Sequence, residues 1–442
     1  MKKTLATLGA IVIVASFSFL VQPGVAFGEG TSAADEPSRT INAANYTYCR
    51  TVTSNNNGYT NGIGTTTPLL FPLFASSTIS SLAATSSSGR IQLVSADAGQ
   101  FTDAPIDIVF TDEASCSFST SIDAIPHYFE KYASTTGEFS VHLGTSNISS
   151  TTAKTLAMYY GNSGATNLNS PGQTFGTSSA MGIVSHWDLS VPGYATTTSP
   201  DFTDSTYNNN HGSSANMNNA DLVSGQVDGS LDFDGTDDNV TIGAITTVGS
   251  GGLSFSFWIK LTASPSKWDS PLGKTATTNW ADGWLTWFEP AVSALNFDIE
   301  GESVNKAAVS YPATDRSWHH IVGTWDGTTI NLYQDAIVGG TTDTYTGSIV
   351  DTGILYIGHT LGGASDRNAP AIVDDVRIYN RALSVADIQT IYNTTSKSDV
   401  FWTFGNEETQ AAESAATPPR AMRLFKGFRI QIRSGQLIIR PG

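Results

Sequence analysis

Apolar residues in this chain come in short runs, most of them alternating with polar ones. "RIQLVSA", "IDIVFTD", "EFSVHLG" and "LSFSFWIK" are examples, and Gly, Asn, Asp and Ser separate them. A period of two places alternate side chains on opposite faces of a strand. Long helical periodicity is absent; "STISSLAATSSSG" allows one weak helix at most, and "SVADIQTIYN" is a short helix, with Ser384 and Asp387 forming a capping-box pattern. Such a chain is expected to be all-β, with sandwiches built from many short strands. Apolar residues make up 40 %, enough for real cores, whereas charged residues reach only 14 % against about 25 % in ordinary soluble proteins. The polar excess is uncharged, which suits turns.

The stretch "WHHIVGTWDGTTINLYQDA" (318–336) tests whether aromatic and histidine density means chemistry. In a strand His319 and His320 diverge, so they do not share one metal, and zinc needs three or four converging ligands. Asp326-Gly327 between two alternating runs is a hairpin signal. Ile321, Gly323 and Trp325 then share a face with Ile330 and Leu332, and His320, Val322, Thr324, Asn331 and Tyr333 form the other. The stretch reads as scaffold.

Residues 1–26 read as a secretory signal: Lys2 and Lys3, an apolar Leu5–Val21 run, and small residues at Gly24-Val25-Ala26. Export by the general secretory route, to the cell surface or beyond, is expected, with no transmembrane span after cleavage; the alternative is an uncleaved N-terminal anchor, for which the stretch is short. The formal charge is −17, and Arg420–Gly442 carries six basic residues and no acid, so the rest sums to −23. That body repels nucleic acid. In an exported chain Cys49 and Cys116 are a disulfide pair or two buried thiols. Five segments follow the signal: an N-terminal β-sandwich at 38–176, a linker at 177–181, a second domain at 182–404, a linker at 405–420 and a basic β-hairpin tail at 421–442. In the tail, Phe428, Ile430 and Ile432 alternate with Arg429, Gln431 and Arg433 before a Ser434-Gly435 turn.

The second domain resembles LamG-like jellyrolls of the concanavalin A-like lectin/glucanase superfamily. The residues that carry the likeness are, in order, "HWDLS", "DSTYNNNHG", "GSLDFDGTDDNVTIG", "LSFSFWIK", the hairpin above, and "AIVDDVRIYNRALSVADIQTIYN". Ala336 departs from the family's usual Gly, and Tyr207 departs likewise. The resemblance implies two packed antiparallel sheets whose loops and concave face bind glycans or proteins. It also implies a structural calcium ion near the first and last strands, for which Asp188, Asp204 and Asp374 are the candidate ligands. The first domain, through "YCRTVT", "IPHYFEKY" and "TLAMYYGN", is similar to a domain of unknown function common in bacterial and archaeal surface proteins.

No catalytic residue is expected. The superfamily's Glu-x-Asp-x-x-Glu strand is absent, as are nucleophile elbows, metalloprotease helices and phosphate loops. "FDIEGES" (297–303) is the nearest acidic strand, with Asp298, Glu300 and Glu302 at one parity. Sugar platforms need exposed aromatic rings, and Trp268 and Trp280, in loop-like sequence, are the candidates. The expectation is an exported, non-enzymatic binding protein for an extracellular polysaccharide or surface protein. The alternatives are a structural surface-layer or adhesin component and a divergent glycoside hydrolase or its accessory module.

Overall fold

The computed structural model describes residues 40–54, 71–75, 91–95, 103–132, 137–143, 153–168, 182–190, 201–276, 282–301, 305–360, 367–396, 402–410, 428–433 and 436–441, bar isolated positions within those ranges. The expected signal (1–26), the linker at 177–181 and Trp280 lie outside the described residues. Among the described residues the chain is β apart from the helix Val385–Ser396 and two short 3-10 turns. No described helix is long and apolar enough to cross a membrane.

Two large antiparallel sheets dominate, one of nine strands and one of eight. The strand Leu253–Leu261 shows why they pack. Its odd residues, Leu253, Phe255, Phe257, Ile259 and Leu261, enter one apolar core with Trp284, Phe288, Phe297, Leu332 and Leu355. The hairpin at His319–Trp325 and Thr329–Gln334 follows the same rule, with Gly323 opposite Leu332 and Val322 opposite Tyr333. Gly323 is required where it stands, because a Cβ would lie 2.2 Å from the Phe255 ring.

The first region is built on Tyr48–Ser54, Thr155–Tyr160 and Val109–Thr111, with a second small sheet of Phe71–Ala75, Phe139–Leu143 and His127–Tyr132. Leu156, Met158 and Tyr160 face one core with Phe110 and Phe129. Ala157 and Tyr159 face a smaller one that contains Cys49. Cys49 and Cys116 are bonded, Cα–Cα 5.8 Å.

The chain does not leave this region for good at the jellyroll. Trp402–Phe404, counted with the jellyroll above, pairs with Tyr48–Ser54 instead, and Glu408–Thr409 of the expected linker pairs there too. The reason is a bare sheet edge, which needs a partner. Trp402 fills the first core, Arg50 donates to the Gly405 carbonyl at 2.9 Å, and the Tyr160 hydroxyl donates to Glu407. The tail strands Phe428–Arg433 and Gln436–Pro441 pair in register with each other alone, as the expected hairpin.

The outer face of the nine-stranded sheet is covered as well. Tyr128 of the first region packs with Ile183, Val322, Tyr379 and Ile388. His320 lies on that covered face, fully buried, its ring 5.1 Å from Trp258.

Two predictions follow from this packing. Asp335 and Ala336 both hold left-handed backbone, φ 53° and 62°, in the two-residue turn where the family usually has Gly after Asp. Ala336→Gly should stabilise by about 0.5–1 kcal/mol in urea unfolding. Burial pushes His127 and His320 down to about 4 and His142 to about 3. Below pH 6.5 the unfolded chain therefore takes up protons that these folded rings refuse, and stability should fall until about pH 4. Each such proton contributes about 1.4 kcal/mol per pH unit. His319 has the opposite sign: Asp335 raises it, so its contribution is present below 6.5 and fades as pH climbs through its folded value. Urea midpoints that stay flat from pH 6.5 to 4.5 would contradict the burial of the three rings.

Candidate functional site

The outward face of the eight-stranded sheet carries the densest polar and aromatic group. Strand parity builds it. In Trp284–Glu289, Trp284 and Phe288 point into the core, so Leu285, Trp287 and Glu289 point out. In Ala294–Ile299, Asn296 and Asp298 take the outward side. Register then aligns Thr241, Tyr356, Gly273, Leu285, Asp298 and Lys306 in one row across the strands. Trp287, Asn296 and Ala308 form the next.

The loop before Leu272 closes over this face. Trp268 N–H donates to the Phe288 carbonyl, and Phe288 N–H to that of Asp269, both at 2.9 Å. These bonds lay Trp268 on Trp287, centroids 4.0 Å apart. Trp287 is thereby buried, whereas Trp268 stays partly exposed. Trp268 has φ 80°, a backbone state that a bulky residue adopts only under strain. Such outliers persist where the surroundings over-determine them, and they cluster at binding sites.

Charge surrounds the pair. Lys267 Nζ lies 4.7 Å from the Trp268 centroid, the Arg367 guanidinium 5.8 Å from it, and Lys306 Nζ 4.7 Å from that of Trp287. Glu289 bridges Lys306 at 3.2 Å and Lys267 at 3.4 Å. Burial works against the Glu289 charge, but Lys306 and then Lys267 outweigh it and hold the carboxyl below its usual range. The result is an aromatic surface with charged donors and an acceptor beside it. Trp287 was hidden in the sequence by its strand context; only its parity, opposite to that of Trp284, marked it.

The other acidic candidates separate. Glu300 has φ 45° and leaves the strand; its Oε1 accepts from Gly283 N–H and Val350 N–H. Asp298 is 1 % exposed, not the solvated strand edge that an acidic run suggests. Glu302 lies outside the described residues.

Asp188, Asp204 and Asp374 do not converge as a trio. Asp204 caps its own loop, accepting from His186 N–H, Thr206 N–H and hydroxyl, and Asn210 N–H. Asp188 accepts from Ser190 N–H and hydroxyl. Asp374 is fully buried: Oδ2 accepts from Gln226 and Val227 N–H, while Oδ1 has no hydrogen-bond partner. Burial, then Asp375, raise its carboxyl, and Asp188 adds to the push. Among the described residues the acidic trio within 4.8 Å is instead Asp234, Asp237 and Asp238, the first two exposed and the last buried.

Residues 234–389 match the family described as the concanavalin A-like lectin/glucanases superfamily. This segment is similar to that superfamily. The match does not reach the first region. No curated protein matches the chain significantly. Similar solved structures include the binding domain of Paraclostridial Mosquitocidal Protein 1, at 13 % identity and TM-score 0.37, covering 48 % of this chain and 52 % of that one. The botulinum neurotoxin serotype D binding domain stands at 12 % and 0.36, covering 48 % and 50 %. Domain 4 of AbnA, a GH43 extracellular arabinanase from Geobacillus stearothermophilus in complex with arabinotriose, stands at 15 % and 0.35, covering 48 % and 98 %. The chain thus spans about half the length of the toxin domains it matches.

The stacked tryptophans give a direct test. Trp287→Ala should cost about 3–5 kcal/mol, the cost of emptying a buried aromatic site. Trp268→Ala should cost less than half of that, because it is partly exposed. Equal costs in urea unfolding would make Trp268 ordinary packing.

Proposed function

We propose that the jellyroll is a non-enzymatic module that binds an extracellular glycan, in an exported protein held at or beyond the cell surface. One observation carries the reading: a strained, partly exposed Trp268 lies on a buried Trp287 at the outward sheet face, with Lys267 and Arg367 over its ring and Glu289 paired with Lys267. Trp268 is the platform, and Trp287 stiffens it. A rigid aromatic needs little ordering when ligand arrives, so little affinity is lost on binding. Trp280 belongs to the same proposal as a second platform from sequence. The absence of a glucanase carboxylate strand and the engagement of Glu300 favour binding over hydrolysis.

Calcium has a narrower place in this reading. The unpartnered Asp374 oxygen, with Asp188 beside it, suits a hard cation, and Asp204 is committed elsewhere. Such an ion would supply structural support distant from the chemistry of sugar contact.

The test is a polysaccharide and oligosaccharide array probed with residues 27–442, which retain the returning strands. Saturable binding is expected, weakened at least about tenfold, or roughly 1.4 kcal/mol, by Trp268→Ala. The calcium proposal predicts a lower melting temperature in chelator. Wild-type protein that binds no glycan, with or without calcium, refutes the lectin reading and leaves a structural surface component.

A further inference from the structure

A pocket lies in the first region, with none of its lining residues shared with the tryptophan site. It holds about 150 Å³ and is lined by Thr40, Ile41, Asn42, Asn45, Tyr46, Asn162 and the turn that follows it to Leu168. We propose that this pocket binds one neutral sugar residue.

The walls are preformed. On one side Asn42 Oδ1 accepts from Ala44 N–H at 3.1 Å, which fixes the Ala43–Asn45 turn. On the other, Asn162 Oδ1 accepts from Gly164 N–H at 3.0 Å, and its carbonyl accepts from Ala165 N–H at 3.1 Å. The two walls meet at Tyr46 and Asn162, which line the same pocket. Tyr46 is 3 % exposed and stands edge-on to Tyr159, so the floor is rigid. Ile41 and Leu168, both in the small core beside Cys49, supply the apolar part.

The lining chemistry selects the ligand. Three amide side chains, two threonines and a phenol line the pocket, and no lining residue is charged. In a body that sums to −23, a pocket without a carboxylate is a local exception. A cation would find no counter-charge in the lining. An anion would meet Asp107, which acts on Tyr46, and Asp123, which accepts from Thr40 at 2.9 Å. Amides and hydroxyls offer donors and acceptors at once, as vicinal sugar hydroxyls require, and the small apolar part suits the C–H side of a ring. The volume of about 150 Å³ is small and suits a single sugar ring rather than an oligosaccharide.

Saturation-transfer NMR on residues 27–442 with the methyl glycosides of glucose, galactose, mannose and N-acetylglucosamine tests the proposal. At least one should saturate, in the millimolar range. Asn45 is exposed, and no side-chain hydrogen bond of the fold depends on it. Asn45→Ala should weaken that binding about tenfold, and Asn45→Trp, which fills the mouth, should abolish it, both with unchanged melting temperature. Trp268→Ala should leave it intact, which separates this site from the jellyroll reading. No saturation with any glycoside, binding that survives Asn45→Trp, or binding lost instead in Trp268→Ala would each overturn the proposal.

Discussion

The packing of the nine-stranded sheet on the eight-stranded one organises everything else in the molecule. Each sheet contributes one apolar face, and the aromatic weight of the seam is large: Phe255 lies stacked on Trp284 at 5.2 Å and edge-on to Phe297 at 4.8 Å. Once those faces are spent, strand alternation leaves two outward faces, and their residues are fixed in kind and position. One outward face carries Trp258, His320, Val322 and Arg377. The other carries Trp287, Asn296, Asp298 and Lys306. Neither is left bare. The helix and the first region cover one, and the tryptophan loop covers part of the other.

That division explains what was legible in the residues. The hairpin faces at 318–336 followed from parity alone, because one apolar core makes a one-residue slip costly. His319 and His320 do diverge: His319 sits between Asp335 at 2.7 Å and Asp315 at 3.2 Å, and His320 is buried on the far face. Ala336 was legible as a departure, and the left-handed backbone supplies its meaning. The return of Trp402 to the first sheet was not legible. Nothing local distinguishes a strand that ends one domain from a strand that completes another, since pairing across such a distance is set by the bare edge of Tyr48–Ser54.

The acidic residues show the same limit from another side. Asp188, Asp204 and Asp374 share motifs, but motifs do not say which oxygens the backbone has already claimed. Asp204 is consumed by N–H groups of its own turn, as short acidic side chains after a strand often are. Asp374 is different because its strand is buried on both faces, so the carboxylate is carried inward with no room for solvent. Trp268 inverts the case: its loop setting correctly suggested exposure, whereas its partner Trp287 could be found only through the alternation of a strand that looks uniformly apolar.

The junction between the first region and the jellyroll rests on more than apolar contact. Asp375, in left-handed backbone at φ 49°, sits where the register of Pro370–Tyr379 shifts against Leu253–Leu261. It pairs with His186 at 2.7 Å and Arg377 at 2.9 Å, all of them 1 % exposed or less. Burial opposes the charge on Asp375, but Arg377 and then His186 overcome it and hold the carboxyl below its usual range. His142 of the first region stands edge-on to His186, 4.9 Å away. An apolar seam such as that around Tyr128 tolerates sliding, because one hydrocarbon contact replaces another. A buried ion network does not, since a shift that separates its members leaves a charge without a partner in a medium that cannot solvate it. The bulge that turns Asp375 outward therefore ties the docking of the first region to the register of the jellyroll strands, and the returning strand at 402–404 ties the same region to the chain from its other end.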